Sequence, residues 1–231
     1  MGNLKMRTGK LNYFHHRGQV LSKDIARIDY GFREIRTLIT LLSTIREDVS
    51  LTGKSIVDLG CGDRYLENAI KSAGGFYYGF DIFDADFEKE RIPAKDNSYD
   101  IVICLALIEH LADPGFFLSE IKRVLKPGGV VWLSTPDLEV SKFSFWDDPT
   151  HVHPYTRKSL RMVLDMAGFS HVKICPNYRC KPKSYYSESK FNFFRATYLM
   201  PFSGTSKLPV PEFLKGKSKG LFAIALDNES K

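Results

Sequence analysis

The sequence predicts an α/β protein whose core is a doubly wound, mostly parallel sheet. Three observations carry this expectation. Ser55-Ile-Val-Asp-Leu59 is a short apolar strand running into Gly60-Cys-Gly62, a helix follows, and Phe76-Tyr-Tyr-Gly-Phe80 is a second strand ending at Asp81. Asp100-Ile-Val-Ile-Cys-Leu105 is a continuous apolar run of the kind buried on both faces of a parallel sheet. Strand-like and helix-like segments keep alternating through residue 175, which implies parallel strands joined by helical crossovers.

Each element has a local reason. Between residues 24 and 48, Ile25, Ile28, Phe32, Ile35, Leu38, Ile39, Leu42 and Ile45 recur at steps of three and four, the pattern of one amphipathic helix. A second helix is expected over about 65–73, and a weak third strand near Ala85-Asp-Phe87. Pro114 suits the first turn of a helix running to Leu125, because its fixed φ fits there and its missing N–H is not needed. Lys126-Pro-Gly-Gly129 is a turn by composition, and Val130-Val-Trp-Leu-Ser134 is the fifth strand. Thr156 is the expected N-cap of a helix that stops at Gly168. His171–Cys175 and Gly220–Leu226 close the set as a hairpin. Between them lies a stretch of roughly forty residues, too long for a plain connection and rich in aromatics from Tyr185 to Phe202. The expected organisation is an N-terminal helical cap over residues 1–50 and one domain over 51–231, with an insertion at about 178–216.

Composition narrows the class. A chain of 231 residues with 43% hydrophobic and 26% charged residues is long enough for one sizeable core and excludes disorder throughout. The first twenty residues hold Lys5, Arg7, Lys10, His15, His16 and Arg17 without an apolar run, so the expected location is cytoplasmic. Cys61, Cys104, Cys175 and Cys180 form no Cys-x-x-Cys pair and are read as reduced thiols. The net charge of +6 is uneven: residues 55–175 hold 13 basic against 18 acidic residues, whereas both flanks are basic. Basic flanks suit an anionic acceptor or peripheral contact with membrane headgroups; an ordinary solvated surface is the alternative.

The glycine turn carries chemistry. Gly60 and Gly62 let backbone approach a ligand where any Cβ would collide, and the carboxylate of Asp81, nineteen residues on, can accept both hydroxyls of a ribose. This is the build of a nucleoside-binding βαβ unit, and nicotinamide enzymes use a similar device. Five linked segments separate the two. Val57-Asp-Leu-Gly-Cys-Gly62, Gly79-Phe-Asp81, Asp96-Asn-Ser-Tyr-Asp-Ile-Val102, Leu107-Ile-Glu-His-Leu111 and Glu120-Ile-Lys-Arg-Val-Leu-Lys-Pro-Gly-Gly129 stand in an order and spacing that resembles the class I S-adenosylmethionine-dependent methyltransferases. Arg64 stands where a dinucleotide fingerprint needs its third glycine, which lowers the nicotinamide reading further.

The resemblance implies a Rossmann-like sheet of seven strands with the last one antiparallel, and S-adenosylmethionine as cofactor. It implies that Gly60 and Gly62 lie against the methionine part, that Asp58 orients its ammonium, and that Asp81 holds the ribose. It further implies that Leu105 and Ala106 line the methionine side, with Phe87 a candidate for stacking on adenine and a core aromatic otherwise.

Methyl transfer from a sulfonium is an in-line displacement, and a hydroxyl acceptor with a high pKa benefits from a general base. Phe145-Trp-Asp-Asp-Pro-Thr-His-Val-His-Pro-Tyr155 comes after the fifth strand, at the sheet edge where α/β proteins bind ligands. It resembles an Asp-Pro-x-His loop of methyltransferases from surface-glycan biosynthesis. His151 is the candidate base, His153 the second, and Asp148 an orienting carboxylate; the competing reading is that these residues cap a turn. Asp147, His151 and His153 are ligand types without a fourth ligand at a defined spacing, so no metal is expected. Glu109-His110 belongs to the family pattern, with no direct role assigned.

Lys181, Lys183, Lys190 and Arg195 interleave with the aromatics of the insertion and suit a small-molecule or glycan acceptor, anionic or lipid-linked. Nucleic acid is disfavoured because no RNA-binding module is present. The leading expectation is O-methylation of a small molecule or glycan. The alternatives are methylation of a quinone precursor or other aromatic isoprenoid, and a cofactor-binding scaffold without catalysis.

Overall fold

The computed structural model describes residues 26–178, 181, 183–186 and 218–227. Its sheet has six strands: β1 (Ser55–Leu59), β2 (Phe76–Phe80), β3 (Tyr99–Leu105), β4 (Leu125–Pro136), β5 (Phe169–Pro176) and β6 (Gly220–Asp227). They lie in the order β2-β1-β3-β4-β6-β5. β2, β1, β3 and β4 pair in parallel, and β6 inserts antiparallel to both β4 and β5, as the expected hairpin requires.

The seventh strand is a correction. Ala85-Asp-Phe87 forms no strand: Asp84 and Ala85 donate their N–H groups to the carbonyl of Asp81, and Lys89 and Glu90 donate theirs to Asp86. Asp86 also accepts from the Glu88 N–H at 3.2 Å through its own carboxylate. The carboxylates of Asp84 and Asp81 likewise take the N–H groups of Asp81 and Ile82, and with these local partners the segment turns instead of extending.

Among the described residues there are five α-helices: α1 (Ala26–Leu42), α2 (Glu67–Ser72), α3 (Pro114–Val124), α4 (Leu138–Ser141) and α5 (Arg157–Met166). α1 ends earlier than its apolar pattern suggests. Ser43 and Thr44 turn their hydroxyls onto the carbonyls of Thr40 and Leu41, at 2.7 and 2.6 Å, in competition with a further helical turn. α5 opens as expected, with Thr156 and Ser159 closing a capping box. Lys126–Gly129 belongs to β4 but breaks its register with β3 between Tyr99 and Ile101.

Alternation along the strands builds two apolar layers. Ile56, Ile101, Ile103 and Trp132 face Leu38, Leu41 and Leu42 of α1 and Ile70 of α2. Val57, Val102, Cys104 and Leu133 face Phe117 and Ile121 of α3 and Leu160 and Leu164 of α5. Helices on both faces leave only the strand ends for ligands. The chain leaves β1 toward β2 and returns on its other side as β3, which puts the crevice of a doubly wound sheet at their carboxyl ends. Among the described residues, no helix is long and apolar enough to cross a membrane. The insertion expected at 178–216 lies outside the described residues except for 178, 181 and 183–186, and the N-terminal cap is described only from 26.

Candidate active site

The crevice starts at the β1 turn. Gly60 and Gly62 hold φ of +75° and +50°, and the N–H groups of Gly60 and Cys61 donate to the Phe80 carbonyl at 2.8 and 3.3 Å. A Cβ on Gly60 would press on Leu107 at 3.2 Å, whereas a Cβ on Gly62 would meet nothing within 4 Å. Gly62 therefore borders open space with its backbone bare, the condition a close-lying ligand needs.

Two carboxylates frame this turn. Asp81 accepts the Gly62 N–H and the Ile82 N–H, both at 2.6 Å, one on each oxygen. Each oxygen keeps a further lone pair. Asp58 is 3% exposed and accepts the Tyr77 hydroxyl at 3.1 Å. Burial pushes its carboxyl up to about 7, with the nearby Asp81 charge adding to the rise and the Tyr77 hydrogen bond opposing it. Gly79 makes room for this arrangement, since a Cβ there would lie 2.8 Å from the Tyr77 hydroxyl. The thiol of Cys61 is pushed up to about 12 by burial and stays protonated.

Leu105 is half-buried at the end of β3, and Ala106 after it is exposed with φ of +54°. A left-handed alanine is strained by about 1–2 kcal/mol. It is held by its N–H, which donates to the carbonyl and hydroxyl of Ser134 at 3.0 and 3.1 Å. Arg64 lies on the surface of the turn, with Glu67 at 3.0 Å and its guanidinium over the Tyr77 ring.

Phe87 is a correction. It is 5% exposed and packs in the core with its ring centroid 5.7 Å from that of Phe117, so no face is open to a base. The exposed aromatic of the same segment is Phe83, at 70%. Period-two patterning in a short run does not distinguish these outcomes, because a turn re-aims every second side chain.

The second part of the edge brings together residues forty positions apart. The turn Ile108–His110 comes after β3, and the loop after Lys142–Asp147 folds onto it. Val152 and His153 both donate their N–H groups to the Glu109 carbonyl, at 2.9 and 3.0 Å. His151 lies between Phe145 and His110, with ring centroids 4.6 and 4.9 Å away. Its Nδ1 is 2.7 Å from the Phe145 carbonyl, which can only accept, so Nδ1 carries a proton and the neutral ring has its lone pair on Nε2. His110 repeats the device: its Nδ1 donates to the Thr150 carbonyl at 3.1 Å, within reach of the Thr150 hydroxyl at 2.9 Å. That hydroxyl donates to Asp148 at 2.6 Å, and Asp148 also accepts the Thr150 N–H at 3.0 Å. Asp148 thus does close a turn, while its second oxygen lies 3.9 Å from His151 Nε2.

His153 instead stacks on Tyr155 with centroids 4.7 Å apart. Asp147 is exposed. The residues that sequence reasoning left without a role are Glu109, His110 and Thr150. The signals were the Glu109-His110 pair at the end of an apolar strand and the place of Thr150 beside His151 in the loop.

A glycine turn with two carboxylates, at the switch point of a doubly wound sheet, defines a nucleoside-cofactor fold. Residues 27–174 match the methyltransferase domain family, and the chain belongs to it. The fold is that of S-adenosylmethionine-dependent methyltransferases. A crystal structure of a SAM-dependent methyltransferase from Archaeoglobus fulgidus superposes with a TM-score of 0.56 at 21% identity, covering 83% of this chain and 94% of that one. The 1,6-didemethyltoxoflavin-N1-methyltransferase of Burkholderia thailandensis, solved with S-adenosylhomocysteine, gives 0.57 at 12% identity over 96% of this chain and 87% of that one.

Among curated proteins, the chain is 29% identical over 124 residues to a ubiquinone biosynthesis O-methyltransferase of Paraburkholderia xenovorans, covering 45% of this chain and 53% of that protein. It is 33% identical over 111 residues to the protein of that name in Pseudomonas entomophila, covering 39% and 48%. The chain spans about half the length of these curated relatives.

Proposed function

We propose that the chain is an S-adenosylmethionine-dependent O-methyltransferase whose acceptor is an aromatic hydroxyl, of the quinone-precursor or isoprenoid-phenol class. The observation that carries the reading is the pairing of a bare-backbone glycine turn with an imidazole of fixed tautomer on one sheet edge. The residues fit the cofactor on their own terms. Gly62 leaves open space, Asp81 has lone pairs for two ribose hydroxyls, and the buried Asp58 suits an ammonium. The relatives from ubiquinone biosynthesis favour the aromatic acceptor over a glycan, and the expected domain limits at 50/51 stay part of this reading.

When bound, the cofactor supplies a methyl carbon activated by positive sulfur. The chain's own work is alignment and proton handling. Asp81 holds the ribose and Asp58 the ammonium, while Leu105 and Ala106 border the methionine side. His151 takes the hydroxyl proton on Nε2, with its Nδ1–H anchored on Phe145. General-base help is worth roughly 10²–10⁴-fold. His153, stacked on Tyr155, orders the loop that presents His151.

Incubation with S-adenosylmethionine and a panel of catechols, isoprenoid phenols and sugar phosphates tests this, with mass spectrometry of products. A methyl ether on the phenols, and about 10²-fold less of it in the His151→Ala variant, is the expected result. Methylation confined to sugars, or none with any hydroxyl, would overturn the acceptor class.

A further inference from the structure

We propose that Glu109, His110 and His151 form a binding site for a divalent transition-metal cation of the zinc class. Each offers one ligand atom, and the three atoms all lie within 4.8 Å of one another. A point equidistant from three atoms so spaced lies within about 2.8 Å of each, against metal–ligand bonds of about 2.0–2.2 Å. Closing that gap takes under ~1 Å from each side chain, within the reach of small rotations.

The orientation of the rings points to a cation more strongly than the spacing does. Metal-bound histidines almost always donate their second ring N–H to a carbonyl or carboxylate, which fixes the tautomer and turns the free lone pair to the cation. Both histidines here do so: His110 Nδ1 on the Thr150 carbonyl at 3.1 Å and His151 Nδ1 on the Phe145 carbonyl at 2.7 Å. Two rings from separate segments, each held at Nδ1 by a main-chain carbonyl, lie side by side next to a carboxylate. A site that only needed a proton acceptor would lock one ring.

The surroundings support the same reading. Glu109 and His110 are 1% and 6% exposed, so a cation there is shielded from bulk water and attraction is strong. The loop carrying His151 is fastened to the Glu109 carbonyl by two N–H groups, which fixes the distance between the segments. Asp148, its near oxygen held by Thr150, has its other oxygen 3.9 Å from His151 Nε2 and can serve as a fourth ligand.

The donor set decides the ion. Two imidazoles with carboxylate oxygen suit Zn²⁺, Co²⁺ or Fe²⁺, while the absence of thiolate disfavours Cu⁺, and two nitrogens disfavour Mg²⁺ and Ca²⁺. The Asp147–His151–His153 set weighed from the sequence is replaced, because Asp147 is exposed to solvent and His153 stacks on Tyr155.

The role of the cation rests on the proposed function, though its binding does not. Coordination uses the His151 Nε2 lone pair assigned above to the acceptor proton. With the cation bound, His151 holds it instead of serving as the base; an open position takes the oxygen of the acceptor hydroxyl, whose ionisation a dication favours, and the proton leaves to water.

The test uses the untagged full chain, stripped by dialysis against a chelator and titrated with ZnCl2 by calorimetry and with CoCl2 by visible absorption. One equivalent per chain is expected, with a cobalt d–d spectrum of nitrogen and oxygen ligands. The His151→Ala and Glu109→Gln variants should each lose at least ~10-fold in affinity, and Asp147→Ala should lose none. Folding of each variant is checked by circular dichroism and by S-adenosylhomocysteine binding. No saturable binding to the folded native chain, or binding that survives both substitutions, overturns the site. Because no acceptor or turnover enters the measurement, its failure leaves the O-methylation reading standing, and failure of methyl transfer leaves the metal site standing.

Discussion

Cofactor binding should expel a proton from Asp58. In the free protein, burial holds this carboxyl near a pKa of about 7. An ammonium placed against it favours the charged form, so binding pulls the pKa back toward the ordinary carboxylate range. At pH 6 a group with a pKa of about 7 is about 90% protonated, and at pH 8 about 10%. Binding should therefore release about 0.9 proton at pH 6 and about 0.1 at pH 8, and apparent affinity should be about tenfold weaker at pH 6, which is ~1.4 kcal/mol.

Stability of the free protein responds in the opposite sense. The folded pKa is raised, so the folded state holds a proton that the unfolded chain has lost between about 4 and about 7. The free protein loses stability as pH rises through that window, by up to roughly 4 kcal/mol from this group. S-adenosylhomocysteine carries the same ammonium, and titrating it by calorimetry at pH 6 and 8 in buffers of different ionisation enthalpy reads the proton count directly. The Asp58→Asn variant should show neither the pH 6 release nor the tenfold dependence. Equal proton release by native and variant protein, or none by the native, would refute the assignment.

Asp81→Ala should weaken cofactor binding by about 1–3 kcal/mol through lost ribose hydrogen bonds, read by calorimetry, and unchanged affinity would remove Asp81 from the site. Gly62→Ala should cost only about 1 kcal/mol in thermal unfolding, from its positive φ, because a Cβ there has room in the free protein. The same Cβ intrudes on bound cofactor, so affinity should fall at least tenfold; retained affinity would move the cofactor away from Gly62. Arg123 ties Glu120 at 2.6 Å and Asp96 at 2.7 Å and donates to the carbonyls of Ile92 and Ala94. Arg123→Met should destabilise by about 3 kcal/mol in urea unfolding, since buried Glu120 loses its 2.6 Å partner and keeps only the longer pair with the exposed Arg91 at 3.5 Å, and a loss under 1 kcal/mol would mark the pair as superficial. Arg123 also holds the Glu120 carboxyl below its usual range, so this contribution is full above the ordinary glutamate pKa and fades as pH falls below it.

The sheet was legible where physics is local. Asp100–Leu105 reads as a buried parallel strand because nothing but a two-sided apolar layer accommodates it, and Thr156 reads as an N-cap because its hydroxyl can reach the N–H of Ser159. Ala85–Phe87 misled because its alternating apolar residues outweighed the acids around them, although Asp81 and Asp86 had turn-forming chemistry in plain view. In the site, Gly60, Gly62 and Asp81 were fixed by spacing within one βαβ unit. The Glu109–His110–His151 cluster was not, because its members meet only once β3 and β4 lie side by side and both their loops leave the same edge. His151 was therefore visible as a loop histidine, while the ring beside it was not.

With no strand formed at Ala85–Phe87, β2 is the outermost strand on its side of the sheet among the described residues, paired there to β1 alone. Asp81 sits at the tip of that one-sided strand, so its carboxylate is in place only while β2 stays zipped to β1 from Ser55–Phe76 to Leu59–Phe80. Edge strands open more readily than interior ones. Holding the ribose and suppressing that opening are consequently the same equilibrium, and amide exchange along β2 becomes a gauge of cofactor occupancy.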